Sequence, residues 1–450
     1  MISPARWAAF QALRRATLAQ QDGQDLASAL AETRGQVQDV RDRALATELA
    51  LGVERWRAEL DAIIAASSGR TIDTIDAPAL LALRLAVFQL KHLTRTPPHA
   101  VLNDAVELTR LAGAPRAAGF VNAVLRGLLR GSLDAGLPSR PDTRESAAWT
   151  RYLTTSLSHP EWLVERWIAR HGIEAAERWA MFNNEPAPLT VRVNTRGIET
   201  GAARAALAAE DVETEAGAHA PHALTVTHGN PMSTALYRDG LIALMDETSQ
   251  LVGALAAAHL GGVVLDACAA PGGKTLVLAC DLPAGARLIA ADRRPRRVAL
   301  LRRSLARYGL AMVPVLQHDL ARGVPLRDLD GMLIDAPCSG LGTIRRDPDI
   351  RWRREPADLA VLASTQRALL AQGAAALRPG GRLVYSTCSS EPEENENVVS
   401  DFLSAHPAFA RVPITGDRFH PFVEVSGDFR TLPHRDGLES FYAAVLERSS

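Results

Sequence analysis

Two cysteines are placed where a thiol could act on a substrate. Cys338 follows Pro337 in MLIDAPC, and Cys388 follows Thr387 in GRLVYSTC. Each ends an apolar run of the kind that makes a buried parallel strand, and an open α/β sheet gathers its ligands outside the carboxyl ends of its strands. A thiol of ordinary pKa, about 8.5, is only slightly ionised at neutral pH, yet its thiolate is the strongest common side-chain nucleophile. Two thiols at one sheet edge point to covalent chemistry. The other two cysteines read differently. Cys280 lies in a helical LVLAC stretch as a small buried hydrophobe, and Cys268 lies in a turn to which it lends its backbone. No close CxxC pair occurs among the four, which argues against a disulfide framework and a structural zinc site. No metal ligands are assigned.

The turn that holds Cys268 is DACAAPGGKT, Asp266 to Thr275. Small residues at a strand-to-helix turn let backbone N–H groups approach a ligand closely. A phosphate loop, G-x-x-x-x-G-K-[ST], would need glycine at Cys268, and the dinucleotide pattern G-x-G-x-x-G is absent. S-adenosylmethionine needs close backbone but no phosphate cradle, and the acids favour it. Asp292 ends the second strand, 20 residues after Gly272, where a carboxylate meets ribose hydroxyls. Asp319 and Asp335 also end strands, and Asp266 lies near the end of the first. Carboxylates along one edge suit a positive centre and repel a triphosphate. A thiolate beside a methyl donor fits one reaction well. Carbon 5 of cytosine is a poor nucleophile until a thiolate adds at carbon 6 and makes it enamine-like.

The elements that must position these groups follow from pattern. From Gly240 onward, strand-like runs alternate with helical ones: VVLDAC (263–268), RLIAAD (287–292), PVLQHD (314–319), GMLIDAP (331–337) and GRLVYSTC (381–388), with helices over 293–308 and 357–377. That alternation predicts a doubly wound parallel sheet. Residues 1 to about 130 have helical spacing throughout, for example Leu80, Leu81, Leu83, Leu85, Val87, Phe88 and Leu90, with helices over 100–111 and 117–129. Residues 131–145 are rich in Gly, Ser, Pro and Asp and read as an interdomain linker. Helix from Trp149 to Trp179, then LTVRVNT (189–195) and ALTVTH (223–228), make a small α+β unit. The expected domains are 1–135, 146–237 and 240–450.

Net charge is −1, so the whole chain has no nucleic-acid signature and local clusters must decide. Basic charge is almost all arginine, and the only lysines are Lys91 and Lys274. Arg345, Arg346, Arg351, Arg353 and Arg354 adjoin Cys338, with Trp352 among them, and are expected to hold RNA phosphates. The cluster Arg293–Arg303 is balanced between a binding face and a solvated one. Glu391, Glu393, Glu394 and Glu396 are expected to open a helix and face away from the thiol. No run of 18 apolar residues and no secretion-signal order at MISPARWAAFQALRR are found, so a cytoplasmic protein without a membrane span is expected.

Residues 240–450 resemble the Sun/Fmu family of RNA cytosine-5 methyltransferases through DETSQL, DACAAPGGKT, DAPCSGLGTIRRDPDIRW, YSTCS with EENENVV, and LPHRDGLESF. Residues 1 to about 130 resemble a NusB-like RNA-binding domain in HAVLNDAVELTRLAG and GFVNAVLR, and SLSHPEWLVERWIARHG with NNEPAPLTVRVN resembles the connecting domain. The resemblance implies a Rossmann-like α/β methyltransferase domain behind an all-α domain and a small α+β domain. It implies S-adenosylmethionine as cofactor and RNA, 16S ribosomal RNA in particular, as partner, with the protein a monomer. It also implies Cys388 as nucleophile, Cys338 in product release, and cofactor contacts at Cys268, Ala269, Ala270, Pro271, Gly272, Gly273, Lys274, Asp292, Asp319 and Asp335. Asp335 is also within the range of roles that touch the cytosine amine. The rivals are a DNA cytosine-5 methyltransferase using Cys338, and a non-catalytic NusB-like RNA-binding or antitermination factor.

Overall fold

The computed structural model describes residues 2–18, 25–93 and 96–449. Packing divides the chain into two compact units, Met1–Pro186 with Ile344–Arg354, and Ala187–Thr343 with Glu355–Ser450. Residues on both sides of the 131–145 stretch belong to one unit. That stretch holds no helix or strand, yet it is tied down: Ser156 Oγ donates to Pro138 O at 2.6 Å, and Arg140 grips Glu177 through two bonds of 2.6 and 2.7 Å.

The first unit is helical. Helices span Pro4–Leu18, Leu26–Arg34, Val40–Arg55, Arg57–Ser68, Ala77–His92, Pro98–Leu111 and Ala118–Arg130. The helix expected from residue 100 starts at Pro98, because proline at the first turn lacks only an N–H that has no intrahelical partner there. Phe10, Leu13, Leu49, Val53, Ile63, Leu83, Phe88, Val121 and Leu125 form the core, each contributing about 1.5–3 kcal/mol of burial. A Cβ on Gly52 would lie 2.0 Å from Phe88 Cζ, so only glycine lets helices 40–55 and 77–92 meet. The region expected as one helical run from Trp149 to Trp179 is three helices, Ser146–Thr155, Glu161–His171 and Ile173–Asn184. Gly172, at φ 83°, separates the last two, and Trp167 stacks on Trp179 at 5.1 Å.

Ile344–Arg354 completes this unit, and at Arg351 it corrects the expectation of a phosphate-holding arginine cluster. Arg351 is fully buried and donates to Ser158 O (2.8 Å), Asn184 Oδ1 (3.0 Å), Arg55 O (3.3 Å) and Asn183 O (3.4 Å). Arg345 pairs with Glu185 at 3.2 Å and Arg353 with Asp349 at 2.8 Å. Trp352 packs, donating its indole N–H to Glu54 O at 2.7 Å. These side chains are committed to internal acceptors, which nothing in a bare run of arginines reveals.

The second unit holds two sheets. The smaller contains β1 (Leu189–Val193), β2 (Glu213–Ala216), β3 (Ala223–His228) and β4 (Ile242–Leu244) in the order β2-β3-β1-β4, all antiparallel. The larger contains β5 (Val263–Asp266), β6 (Arg287–Asp292), β7 (Val315–Gln317), β8 (Leu329–Asp335), β9 (Leu377–Thr387), β10 (Phe409–Arg411), β11 (Phe429–Arg430) and β12 (Tyr442–Arg448). Its main path runs β10-β12-β9-β8-β5-β6-β7. From β9 to β7 the pairs are parallel, and the near-continuous apolar runs of these strands suit burial on both faces. The expected all-parallel sheet is nevertheless mixed, since β12 is antiparallel to β9 and to β10. YAAVL reads as a buried run whichever way the strand points, so periodicity could not reveal its direction.

Candidate active site

The chain lays β6 and β7 on one side of β5 and returns to place β8 on the other. The carboxyl ends of β5 and β8 therefore flank a topological switch point, where open sheets bind ligands. β8 and β9 are parallel neighbours with Asp335 in register with Ser386. The loops that leave them carry Cys338 and Cys388 side by side, with the two Sγ atoms 3.2 Å apart. Both thiols are half-buried and so open to a substrate.

The thiols are not equivalent. The hydrogen bond to Cys388, followed by burial, pushes the Cys338 thiol well above its ordinary range, and the nearby Glu394 and Asp335 carboxylates add to this. Of the two thiols, Cys338 is thus the one held toward its protonated form, and either sulfur can donate in the contact between them. Beside them Asp335 accepts from Ser386 Oγ at 3.0 Å and from Lys274 Nζ at 2.8 Å. Lys274 also donates to Ser249 Oγ at 3.1 Å and lies 5.4 Å from the centre of the Phe441 ring. Burial alone would pull this ammonium down. The charge and hydrogen bond of Asp335 outweigh that and hold it above its usual value, with Cys388 among the lesser contributors.

The acid run after Cys388 behaves otherwise than expected. Glu396 does open the helix Glu396–Ala405 and pairs with Arg430. Glu394 instead turns inward and is fully buried. Its carboxylate accepts from Ser339 N (2.8 Å), Ser339 Oγ (2.5 Å), Gln366 Nε2 (3.0 Å) and Ser389 Oγ. Ser339 follows one reactive cysteine and Ser389 the other, so this side chain clips the two loops together. A glutamate spends its charge inside a protein only where several donors meet it.

The turn after β5 is built from its own backbone. Ala269 N donates to Ala291 O at 2.8 Å, and Ala270 N to Asp292 Oδ2 at 3.3 Å. Asp292 Oδ1 takes Arg294 N at 3.1 Å. Gly272, at φ 108°, starts the helix Gly273–Asp281 in a conformation that disfavours a side chain. Beneath it Asp266 is fully buried. Its Oδ2 accepts from Thr275 Oγ1 at 2.7 Å, while Oδ1 has no partner. Burial pushes this carboxyl up to about 7, against the pull of the Thr275 hydroxyl. Burial likewise pushes the Cys268 thiol up.

A folded-state pKa raised from 3.8 to about 7 gives stability that is complete below about pH 4 and lost as pH rises through about 7. The loss is on the order of 4 kcal/mol. The denaturant midpoint of the ligand-free protein should therefore fall between pH 5 and pH 8 more steeply than that of Asp266→Asn. Parallel pH profiles for the two proteins would contradict the assignment.

The structure thus gathers Cys338, Cys388, Asp335 and Lys274 at one point, and joins the Cys268–Gly273 turn to Asp292. Asp319 follows β7, whose end is tied to Asp292 by His318 N donating to Asp292 O at 3.0 Å. It accepts from Ala321 N at 3.2 Å and faces Arg293 at 3.9 Å. Cys280 lies elsewhere, its thiol 3.6 Å from Asn194 Oδ1. It borders a cleft of about 770 Å³ at the amino ends of β5 and β6, away from the thiols. Ser249, Gln366, Ser386, Ser389 and Glu394 were not foreseen as site residues. Only the four glutamates crowded behind a reactive cysteine could have signalled one of them.

Family models match three stretches: 16S rRNA methyltransferase RsmB/F over residues 254–447, the NusB family over 3–130, and the RsmF/B-like ferredoxin-like domain over 159–233. The chain is 32% identical to the "Probable ribosomal RNA small subunit methyltransferase B" of Bacillus subtilis (strain 168), over 91% of each chain. It is 31% identical to the ribosomal RNA small subunit methyltransferase B of Vibrio cholerae (serotype O1), over 95% of this chain and 94% of that one. The crystal structure of PH0851 superposes with a TM-score of 0.82 at 25% identity, covering 100% of this chain and 99% of the other.

Proposed function

This chain belongs to the RsmB/F family of 16S rRNA methyltransferases, and from that premise we propose that it transfers a methyl group from S-adenosylmethionine to carbon 5 of a cytosine in 16S ribosomal RNA, by way of a covalent bond between the base and Cys388. One observation carries the reading: two thiols 3.2 Å apart at the switch-point edge, beside the paired Asp335 and Lys274. The raised pKa of Cys338 favours Cys388 as the attacking sulfur. We further assign residues 1–135 to RNA binding, 146–237 to the connecting domain and 240–450 to the methyltransferase domain, in keeping with the three matched models.

The residues fit the cofactor. Asp266 offers a buried carboxylate oxygen without a partner, and Asp292 Oδ1 keeps a lone pair for a ribose hydroxyl. The Cys268–Gly273 turn would face the amino-acid tail, and Asp319 the far end of the ligand. When bound, S-adenosylmethionine supplies an electrophilic methyl group. The chain does the rest. Cys388 Sγ adds to carbon 6 of an unstacked cytosine and loads its carbon 5 with electron density. Asp335, held by Lys274 and Ser386, accepts from the exocyclic amine and orients the ring. Once carbon 5 is methylated its proton passes to solvent water, the carbon 6–sulfur bond breaks to return the Cys388 thiolate, and Cys338, 3.2 Å away, serves this release.

The test is direct. The protein is incubated with labelled S-adenosylmethionine and an unmodified transcript of small-subunit RNA, and the RNA is digested to nucleosides. Label should appear in 5-methylcytidine. Label in another nucleoside, or none in any RNA, would overturn the proposal.

A further inference from the structure

Between Arg293 and Arg307 stand seven arginines and no acid, in a chain whose net charge is −1. Thirteen of these residues form the helix Pro295–Arg307. Val298, Leu301 and Leu305 are buried against the sheet. At 3.6 residues per turn, Arg296, Leu300 and Arg303 lie on the opposite face, while Arg302, one turn after Val298, borders the buried stripe and is itself exposed. Leu300 is 41% exposed, which confirms that this face is open.

Three of the seven charges have internal work. Arg297 pairs with Asp292 at 3.3 Å, Arg293 faces Asp319 at 3.9 Å, and Arg307 packs over the Tyr237 and Tyr308 rings at 4.3 and 4.7 Å. Arg302 reaches only a carbonyl, Val315 O, at 3.2 Å. Among the described residues no carboxylate pairs with Arg294, Arg296, Arg302 or Arg303. Folding gains nothing from this arrangement. Arg294, Arg296 and Arg297 sit at the positive end of the helix dipole, where a basic residue is unfavourable, and Arg303 and Arg307 are like charges one turn apart. Surfaces that serve solubility alone mix both signs. The helix starts three residues after Asp292, at the sheet edge that holds the thiols.

We propose that the exposed face of this helix, through Arg296, Arg302 and Arg303, binds the phosphate backbone of the RNA substrate. The cofactor carries no phosphate, so it does not call for these charges. A polyanion does, and guanidinium forks hold phosphate oxygens in pairs. The proposal rests on the reading of the chain as an RNA methyltransferase, and it places a phosphate contact in the unit that also carries the thiols.

The test uses the full chain and a labelled, unmodified transcript of small-subunit RNA, with affinity measured across a series of salt concentrations. The combined Arg296→Ala, Arg302→Ala and Arg303→Ala variant should bind at least about tenfold more weakly. Its slope of log affinity against log salt should shrink by about 2 to 3, the release expected from three phosphate contacts. The matching lysine variant should keep most of the slope. The alanine variant should melt no lower than wild type, because it removes Arg296, which opposes the dipole, and relieves the repulsion between Arg303 and Arg307. Should it fail to fold, Arg296→Glu alone against Arg296→Ala gives the same comparison, with the glutamate weaker. Unchanged affinity and slope in the variants overturn the proposal. Absence of methyl transfer by the wild type overturns the enzymatic reading instead, and the two failures appear in different proteins.

Discussion

Replacing Cys388 by alanine should abolish methyl transfer, while replacing Cys338 should leave the protein joined to its RNA. The asymmetry follows from the different surroundings of the two sulfurs. Cys338 is held as a thiol by its hydrogen bond to Cys388, by burial and by two neighbouring carboxylates. Cys388 has the Lys274 ammonium among its neighbours. Loss of a nucleophile that works with its partners as a unit costs about 10⁴- to 10⁶-fold in turnover, so Cys388→Ala should fall to background and form no adduct. Cys338→Ala keeps the attacking sulfur and loses the group that serves release. It should turn over at least about 100-fold more slowly, the scale of one acid–base group, and accumulate a protein–RNA species that survives denaturant. Turnover by Cys388→Ala, or prompt release by Cys338→Ala, would contradict the roles.

The second large effect is expected at a residue that touches no substrate. Glu394→Ala removes four hydrogen bonds at one buried carboxylate: the acceptor of Ser339 N is lost, while Gln366 Nε2 keeps only Pro337 O and the Ser339 and Ser389 hydroxyls keep only each other. Each buried donor left unpaired costs about 1–3 kcal/mol. A total near 4 kcal/mol is expected after relaxation, at the extreme of single substitutions. The functional consequence should be specific, because Ser339 and Ser389 adjoin the two cysteines. With the clip gone, the sulfurs lose their fixed separation. Glu394→Gln tells positioning from folding: it keeps the shape and one acceptor oxygen, so it should fold, yet transfer methyl at least tenfold more slowly at saturating RNA with little change in KM. Full kcat in a folded Glu394→Gln would sink the positioning role.

Much of this site was legible in the chain. Asp335 before Cys338, and Thr387 before Cys388, each end an apolar run, and parallel strands deliver such ends to one edge. The turn from Cys268 to Lys274 announced itself by small residues and by one of only two lysines. What could not be read was direction and partnership. β12 is as apolar as its parallel neighbours, so its reversal left no mark on composition. Arg351 and Arg345 look like a cationic surface until their carbonyl and carboxylate acceptors, from residues far away in sequence, come into place. Glu394 was misjudged for the same reason. Its four donors come from three separated segments, and a lone acid in an acidic run gives no hint of them.

The rival readings divide at the same cysteines. A DNA cytosine-5 methyltransferase would attack through Cys338 and leave Cys388 dispensable. A non-catalytic RNA-binding factor would need neither thiol, nor the clip that holds them together, nor the unpartnered Asp266 oxygen.

The most direct measurement is therefore of where the base is attached. Cys338→Ala is incubated with S-adenosylmethionine and unmodified small-subunit RNA, the trapped species is digested with nuclease and protease, and the modified peptide is sequenced by mass spectrometry. A methylated cytidine on Cys388 is the predicted result. A nucleotide on any other residue, or no adduct although the wild type methylates the same RNA, would contradict the assignment of Cys388 as the nucleophile.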